Sequence, residues 1–340
     1  MKILVTGGLG FIGSHTVVAL IEKGYEVLII DNLSNSSISV LEGITKITSV
    51  TPNFTKLDVR DKIKLREYFE KNQAIQGVIH FAASKAVGES VENPLLYYEN
   101  NINALVHLLK EVKTLDHQNF IFSSSCTVYG QADELPITED APVKPAESPY
   151  GNTKQIGEEI IKDSTKVNPE MKAIALRYFN PIGAHPSTEI GELPIGVPQN
   201  LIPFITQTAV GKREKLSVFG KDYPTEDGTC IRDYIHVVDL AEAHIVALER
   251  LMKNKNKSNF EVFNLGTGKG NSVLEVITTF EKVAAQKLAW QFADRRPGDV
   301  IAAYAETTKA NQELGWKTKY NLADALKSAW QWELKLANKN

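Results

Sequence analysis

Thr6-Gly7-Gly8-Leu9-Gly10-Phe11-Ile12-Gly13 follows the apolar run Ile3-Leu4-Val5 and precedes a helically spaced stretch from His15 to Lys23. Strand, glycine-rich turn and helix in that order make a dinucleotide-binding unit. Gly7 permits the tight turn, Gly10 lets backbone N–H groups approach a pyrophosphate at the helix N-terminus, and Gly13 lets helix and strand pack closely. The next apolar strand ends at Asp31, eighteen residues beyond Gly13 and near the spacing of about 20 expected for an acid that binds the adenosine ribose. A carboxylate there accepts from a 2′-hydroxyl and repels a 2′-phosphate, so the expected cofactor is NAD. Asp58, after Phe54-Thr55-Lys56-Leu57, could contact adenine, although alone it reads better as a solvated turn residue.

Outward from this turn, short and nearly continuous Ile/Val/Leu runs recur near residues 2–6, 26–30, 77–81, 119–123 and 172–177, separated by helically spaced stretches. Strands apolar at consecutive positions are buried on both faces, which implies a parallel sheet covered by helices. The fold class expected is α/β, a doubly wound parallel Rossmann sheet with a second, smaller α/β domain. After Asn180-Pro181 the chain turns to loops rich in Pro, Gly and charge, so the expected division is 1–180 for the NAD-binding domain and 181–340 for the substrate domain. A segment near 236–266 again reads as helix then strand and is expected to return to the first sheet.

Composition narrows the function. The 340 residues exceed the roughly 250–300 at which one core stops growing, consistent with two packed units. A net charge of −3 without a basic block argues against nucleic acid. No apolar stretch reaches the ~18 residues of a membrane span and no signal peptide is seen, so a cytoplasmic protein with no membrane partner is expected. Cys126 and Cys230 are too few for a disulfide framework and are expected as thiols. The seven His residues show no ligand spacing, and no metal is expected.

Tyr150 and Lys154 stand four apart at the start of a helical stretch, on one helix face. Lowering a tyrosine from its reference pKa near 10 to about 7 takes roughly 4 kcal/mol of differential stabilisation of the phenolate. A nearby ammonium supplies part of that, and the positive nicotinamide ring of NAD would supply more. Ser123-Ser124-Ser125 ends the strand Phe120-Ile121-Phe122, at the carboxyl edge where ligands of doubly wound sheets bind. Cys126 lies beside Ser125 without a base partner and is read as packing.

These residues, with His80-Phe81-Ala82, Thr127-Val128-Tyr129-Gly130, Arg177-Tyr178-Phe179-Asn180-Pro181, Asp222 to Thr229, Arg232 to Val237 and Asn264-Leu265-Gly266, resemble the extended short-chain dehydrogenase/reductase family over nearly the whole chain. Within it the resemblance is to the enzymes that invert C4 of UDP-hexoses. The resemblance implies that Tyr150 is the acid/base, that Lys154 binds the nicotinamide ribose and tunes Tyr150, and that Ser125 hydrogen-bonds the sugar O4. It implies cofactor contacts from Gly7, Gly10, Phe11, Ile12, Gly13, Asp31, Asn32, Asp58, Val59, Phe81, Ala82, Ala83, Lys85, Asn100, Ser123, Tyr150, Lys154 and Tyr178. It implies UDP-sugar contacts from Lys85, Ser125, Tyr150, Phe179, Asn180, Asn200, Leu201, Arg232, Tyr234, Arg296, Asp299 and Ala303. Guanidinium forks at Arg232 and Arg296 suit diphosphate oxygens on physical grounds as well.

The implied chemistry removes the O4 proton as hydride passes from sugar C4 to tightly held NAD, lets the 4-keto sugar turn, and returns the hydride to its other face. UDP-galactose and UDP-glucose would interconvert, in the setting of galactose metabolism, and a homodimer is implied. Counting from Arg296-Pro297-Gly298-Asp299, Ala303 falls where a bulky aromatic closes the sugar pocket in some members. A small residue there would admit the 2-acetamido group of UDP-GlcNAc and UDP-GalNAc unless neighbouring Tyr304 fills the space. The rivals are a sugar-nucleotide 4,6-dehydratase and a silent NAD-binding sensor. Related dehydratases carry Asp and Glu where this chain has Cys126-Thr127, and the sensors usually lack the Tyr or the Lys, both present here.

Overall fold

The apolar runs become the strands of one parallel sheet in a computed structural model that describes residues 1–296 and 298–338. Pro297 of the Arg296–Asp299 motif, and residues 339–340 at the end of the second expected domain, lie outside the described residues. The first half runs β1 (Lys2–Thr6), α1 (Phe11–Glu22), β2 (Glu26–Asp31), α2 (Ser39–Thr48), β3 (Asn53–Lys56), α3 (Lys62–Lys71) and β4 (Ile75–His80). It continues with α4 (Val87–Glu92), α5 (Pro94–Tyr98), α6 (Ala104–Val112), β5 (Asn119–Ser125), α7 (Pro149–Val167) and β6 (Lys172–Tyr178).

The remainder adds β7 (Asn180–Ile182), α8 (Leu201–Ala209), β8 (Leu216–Phe219), β9 (Ile231–His236), α9 (Val237–Met252) and β10 (Phe260–Leu265). It closes with β11 (Gly270–Ser272), α10 (Val273–Ala284), β12 (Trp290–Ala293), β13 (Ala302–Ala303) and α11 (Leu322–Ala337). The main sheet has the order β10-β6-β5-β4-β1-β2-β3, every ladder parallel. Order reverses between β1 and β4, and a crevice at such a switch point is where doubly wound sheets hold ligands.

Burial explains which strands the sequence exposed to view. Every residue of β5 is buried, and β1, β2, β4 and β6 are buried apart from one residue each. Edge strand β3, Asn53-Phe54-Thr55-Lys56, buries none and carries no apolar run. Two cores flank the sheet: Val17, Leu20, Leu240 and Leu248 of α1 and α9 on one face, Leu65, Leu105, Leu108 and Ile161 of α3, α6 and α7 on the other. A third core, with Ile205, Val218, Ile277, Phe280 and Leu326, joins α8, α10 and α11 over the small sheets. β9 links the two regions, since it pairs with β7, β11 and β13 and runs directly into α9. No helix among the described residues is long and apolar enough to cross a membrane.

Candidate active site

The glycine turn has the tightness its composition requires. Gly7 has φ +69°, and a Cβ there would stand 2.7 Å from the backbone nitrogen of Ala82 on the neighbouring strand's exit loop. A Cβ on Gly13 would stand 2.2 Å from the Gly7 carbonyl oxygen. Side chains at either position would fill the space where backbone meets backbone, so the cradle fits a pyrophosphate at the start of α1. Gly10 is the N-cap of that helix and supplies no capping side chain, leaving the first-turn N–H groups to an anion.

Asp31 ends β2 buried beside the turn. Its Oδ2 accepts from Leu9 N at 3.1 Å, while Oδ1 accepts from Leu33 N at 2.9 Å and from the Ser36 hydroxyl at 2.8 Å. The acid therefore braces the glycine turn and the loop after β2. Asn32 donates to Asp58 Oδ2 at 3.0 Å, and the Arg60 guanidinium holds Asp58 through both carboxylate oxygens, keeping its carboxyl well below the usual range. Val59 is buried next to it. Phe81, Ala82 and Ala83 form the half-buried exit loop of β4, with Phe81 and Ala82 against the Gly7 turn.

Tyr150 and Lys154 sit on the first two turns of α7, which Pro149 and the cap Ser148 begin; the Ser148 hydroxyl accepts from Gly151 N at 3.2 Å. Both side chains are buried, and Ser125 at the end of β5 stands near enough to the Tyr150 phenol to favour its charged form against burial. Lys154 donates to the Ser123 carbonyl at 2.7 Å, its ammonium 5.8 Å from the centre of the Tyr150 ring. Ser123 Oγ is bonded to the Tyr178 hydroxyl across the β5–β6 ladder. The expected lowering of Tyr150 is not seen in the protein alone. Burial raises its phenol well above 10, and burial lowers Lys154 to about 8, because both charged forms lose water. Cys126 is likewise pushed up to about 12 by burial, as befits a packing thiol.

The UDP-sugar candidates collect on β7, β9, β13 and the N-terminus of α8. Phe179 is buried, Asn180 pairs with Tyr234 in the β7–β9 ladder, and Ala303 pairs with Arg232 in the β13–β9 ladder. Arg296 forks onto Asp299, Nε to Oδ2 at 3.0 Å and Nη2 to Oδ1 at 3.3 Å, and Arg232 Nη2 lies 3.6 Å from Asp299 Oδ1. One carboxylate thus holds both guanidiniums. Ala303 packs in the cluster containing Phe179 and Val128, whereas the Tyr304 ring lies beside Gly270, on which an added Cβ would stand 3.0 Å from Tyr304 Cδ1. Tyr304 follows β13, and its ring lies against Gly270 rather than in the cluster around Ala303.

Several participants escaped the sequence reading. Glu192 Oε1 accepts from Asn200 Nδ2 at 2.6 Å and lies 3.4 Å from Lys85 Nζ, clasping the two lips of the cleft next to Leu201. The Trp332 indole fixes Glu192 through its carbonyl at 2.9 Å, a contact 140 residues away in sequence that no local signal announces. Phe219 lies under the Arg296 guanidinium, 4.8 Å from its ring centre. Asn101, beside Asn100 on the π-helical turn Glu99–Asn103, ties the Ser84 backbone to Thr153 of α7 while Asn100 donates to the Ser84 hydroxyl at 3.0 Å. Its adjacency to Asn100 was the available signal.

A family model described as GDP-mannose 4,6 dehydratase matches residues 4–329. The chain is 49% identical over 333 residues to a UDP-glucose 4-epimerase of Bacillus subtilis, covering 98% of this chain and 97% of the relative. It is 47% identical to one from Erwinia amylovora, with 98% of each covered. In structure it resembles the Stenotrophomonas maltophila UDP-glucose-4-epimerase with bound NAD and formylated UDP-arabinopyranose, at TM-score 0.96, 43% identity and full coverage of both chains. The Bifidobacterium longum enzyme in complex with NAD+ and UDP gives TM-score 0.95 at 45% identity, again over the whole of both chains. At 47–49% identity over nearly the full length of these curated relatives, and with the same fold as the solved enzymes, the chain belongs to the UDP-glucose 4-epimerase family of extended short-chain dehydrogenase/reductases.

Proposed function

We propose that this chain interconverts UDP-galactose and UDP-glucose by inverting C4 with NAD held throughout. The observation that carries the reading is the convergence of Ser125, Tyr150 and Lys154 on the carboxyl edge of the sheet, the same edge at which the glycine turn follows β1 two strands away. NAD, when bound, supplies the reversible acceptor for the C4 hydride, and Gly7, Gly10, Gly13, Asp31, Lys154 and Tyr178 would hold it.

The side chains do the rest. Tyr150 takes the O4 proton and later returns it, with Ser125 orienting the oxygen. Burial keeps Tyr150 protonated in the protein alone, so it becomes a base only as positive charge gathers beside it. The Lys154 ammonium, lowered to about 8, is poised to contribute part of that charge near neutral pH. Arg232 and Arg296 exchange Asp299 for the diphosphate, anchoring the nucleotide while the hexose turns. Neither Cys126 nor Thr127 after Ser125 is a carboxylic acid, so the extra acid/base pair of a 4,6-dehydratase is lacking at that position.

The absence of an aromatic at Ala303 supports acceptance of UDP-N-acetylhexosamines as well. A homodimer is supported by the apolar face around Leu95, Tyr98, Ile102 and Ile156 on α5, the π-helical turn and α7, with Leu95 79% exposed; light scattering reads it directly. Proton NMR of UDP-galactose with purified protein and no added cofactor tests the function: UDP-glucose anomeric signals should grow to a stable mixture. No change even with NAD supplied would overturn the proposal.

A further inference from the structure

Tyr150, Lys154 and Glu158 stand at successive turns on one face of α7, all buried. The first two act in the reaction proposed above, whereas Glu158 turns to the sheet. Arg177 of β6 grips it with a fork, Nε to Oε1 at 2.9 Å and Nη2 to Oε2, and the Ser124 hydroxyl of β5 donates to the same Oε1. The grip is itself held from behind. Arg177 Nη1 donates to the Tyr129 hydroxyl at 2.9 Å with the guanidinium 4.8 Å from that ring's centre, and Tyr129 donates to Asn264 Oδ1 at 2.7 Å.

Ser124 and Arg177 are register partners, one residue behind Ser125 and Tyr178, which are register partners at the reacting edge. The ion pair therefore joins helix and strands one step back from the chemistry. Stability is a poor account of it, because two charges this deep lose several kcal/mol of hydration each and an apolar pair often serves as well. A planar fork supplies direction, which an apolar contact does not.

We propose that Glu158, Arg177 and Ser124 are positioning residues for the catalytic pair: the fork fixes the rotation of α7 about its axis and so places the Tyr150 hydroxyl and the Lys154 ammonium against β5 and β6. The arrangement also sets charge. Around Lys154 stand Tyr150 and Glu158 on its own helix, buried neutral His80 on β4, and Tyr178 and Arg177 on β6. Of these the Glu158 carboxylate opposes the lowering of Lys154 by burial.

The inference rests on the function proposed above and is tested on the same reaction, with purified protein carrying its NAD, in wild type, Glu158→Gln and Arg177→Lys. Glu158→Gln should lower kcat about 10- to 100-fold with KM unchanged. It should also move the alkaline limb of kcat about one pH unit lower, as the ammonium loses its opposing carboxylate. Arg177→Lys keeps the charge and loses the fork, so kcat should fall several-fold with the limb in place. An inactive wild type removes both readings together. An active wild type matched by both variants in kcat and in alkaline limb removes this one alone. Should Glu158→Gln not fold, Arg177→Lys and Ser124→Ala decide: lowered kcat at unchanged KM supports positioning, and lost stability with normal kcat in the folded fraction overturns it.

Discussion

The proposed reacting edge and the proposed diphosphate shelf solve opposite problems with the same kinds of side chain. At the edge, Ser123, Ser124, Ser125, Tyr150, Lys154 and Tyr178 are all buried, and all but the Tyr150 phenol have hydrogen-bond partners inside the protein among the described residues. On the shelf, Lys85, Asn200 and Arg296 are exposed, and they and Arg232 are tied to Asp299 or Glu192. Atoms that must hold a reacting geometry are fixed by bonds water cannot replace. On the shelf the half-exposed Lys85 and Arg296 side chains are held in partly solvated ion pairs, each worth about 0–1 kcal/mol and so readily exchanged for a diphosphate, while Arg232 lies deeper against the same Asp299.

The contrast breaks first at Tyr150. Tyr150→Phe should cut UDP-galactose turnover about 10³-fold while the protein still folds and retains NAD; turnover within tenfold of wild type would mean that the edge is not the reacting site. The buried interior around the sheet carries a second signature. Burial holds His15 and His80 neutral down to about 3, and His236 and His244 down to about 4. Unfolded, each takes up a proton near pH 6.5, so their neutral packing costs nothing above that pH. As pH falls from 6.5 toward 4 the unfolded chain gains protons the folded one refuses, and stability drops by about 1.4 kcal/mol per pH unit per histidine. Urea unfolding at pH 7, 6 and 5 should show that decline; a flat profile would refute it.

The shelf should answer differently. Arg296→Met should raise KM for UDP-galactose roughly 10-fold with kcat little changed, and added salt should raise the wild-type KM in the same direction. A fall in kcat at constant KM would place Arg296 in the chemistry instead. Smallest is the effect on the parent sugar of Ala303→Tyr, which should suppress UDP-GlcNAc turnover about tenfold and leave UDP-galactose nearly untouched. Equal losses for both sugars would dismiss the specificity role.

Much of this was legible before any coordinates. Consecutive apolar residues marked the buried strands because both faces of a central parallel strand are covered. Edge strand β3 went unread for the converse reason: no residue from Asn53 to Lys56 is fully buried, and only Phe54 packs partly against the core, so no apolar run forms. Tyr150 and Lys154 were visible as a pair because four residues make one helical turn. Glu158 lies on the same face one turn on, yet its partner Arg177 is nineteen residues away on a strand, and only the packing of α7 on β6 brings them together.

The buried strands, the glycine turn and the candidate pair Tyr150 and Lys154 could be read from local sequence, because each depends on spacing within a few positions of the backbone. Tertiary structure alone decided that Asp299 holds both arginines, that Glu192 clasps Lys85 to Asn200, that Tyr304 turns away from Ala303, and that Tyr150 stays protonated in the protein alone. Ion pairs, strand faces and the loss of water around a buried phenol are set by what the fold places nearby, and neighbours distant in the chain leave no local trace in sequence.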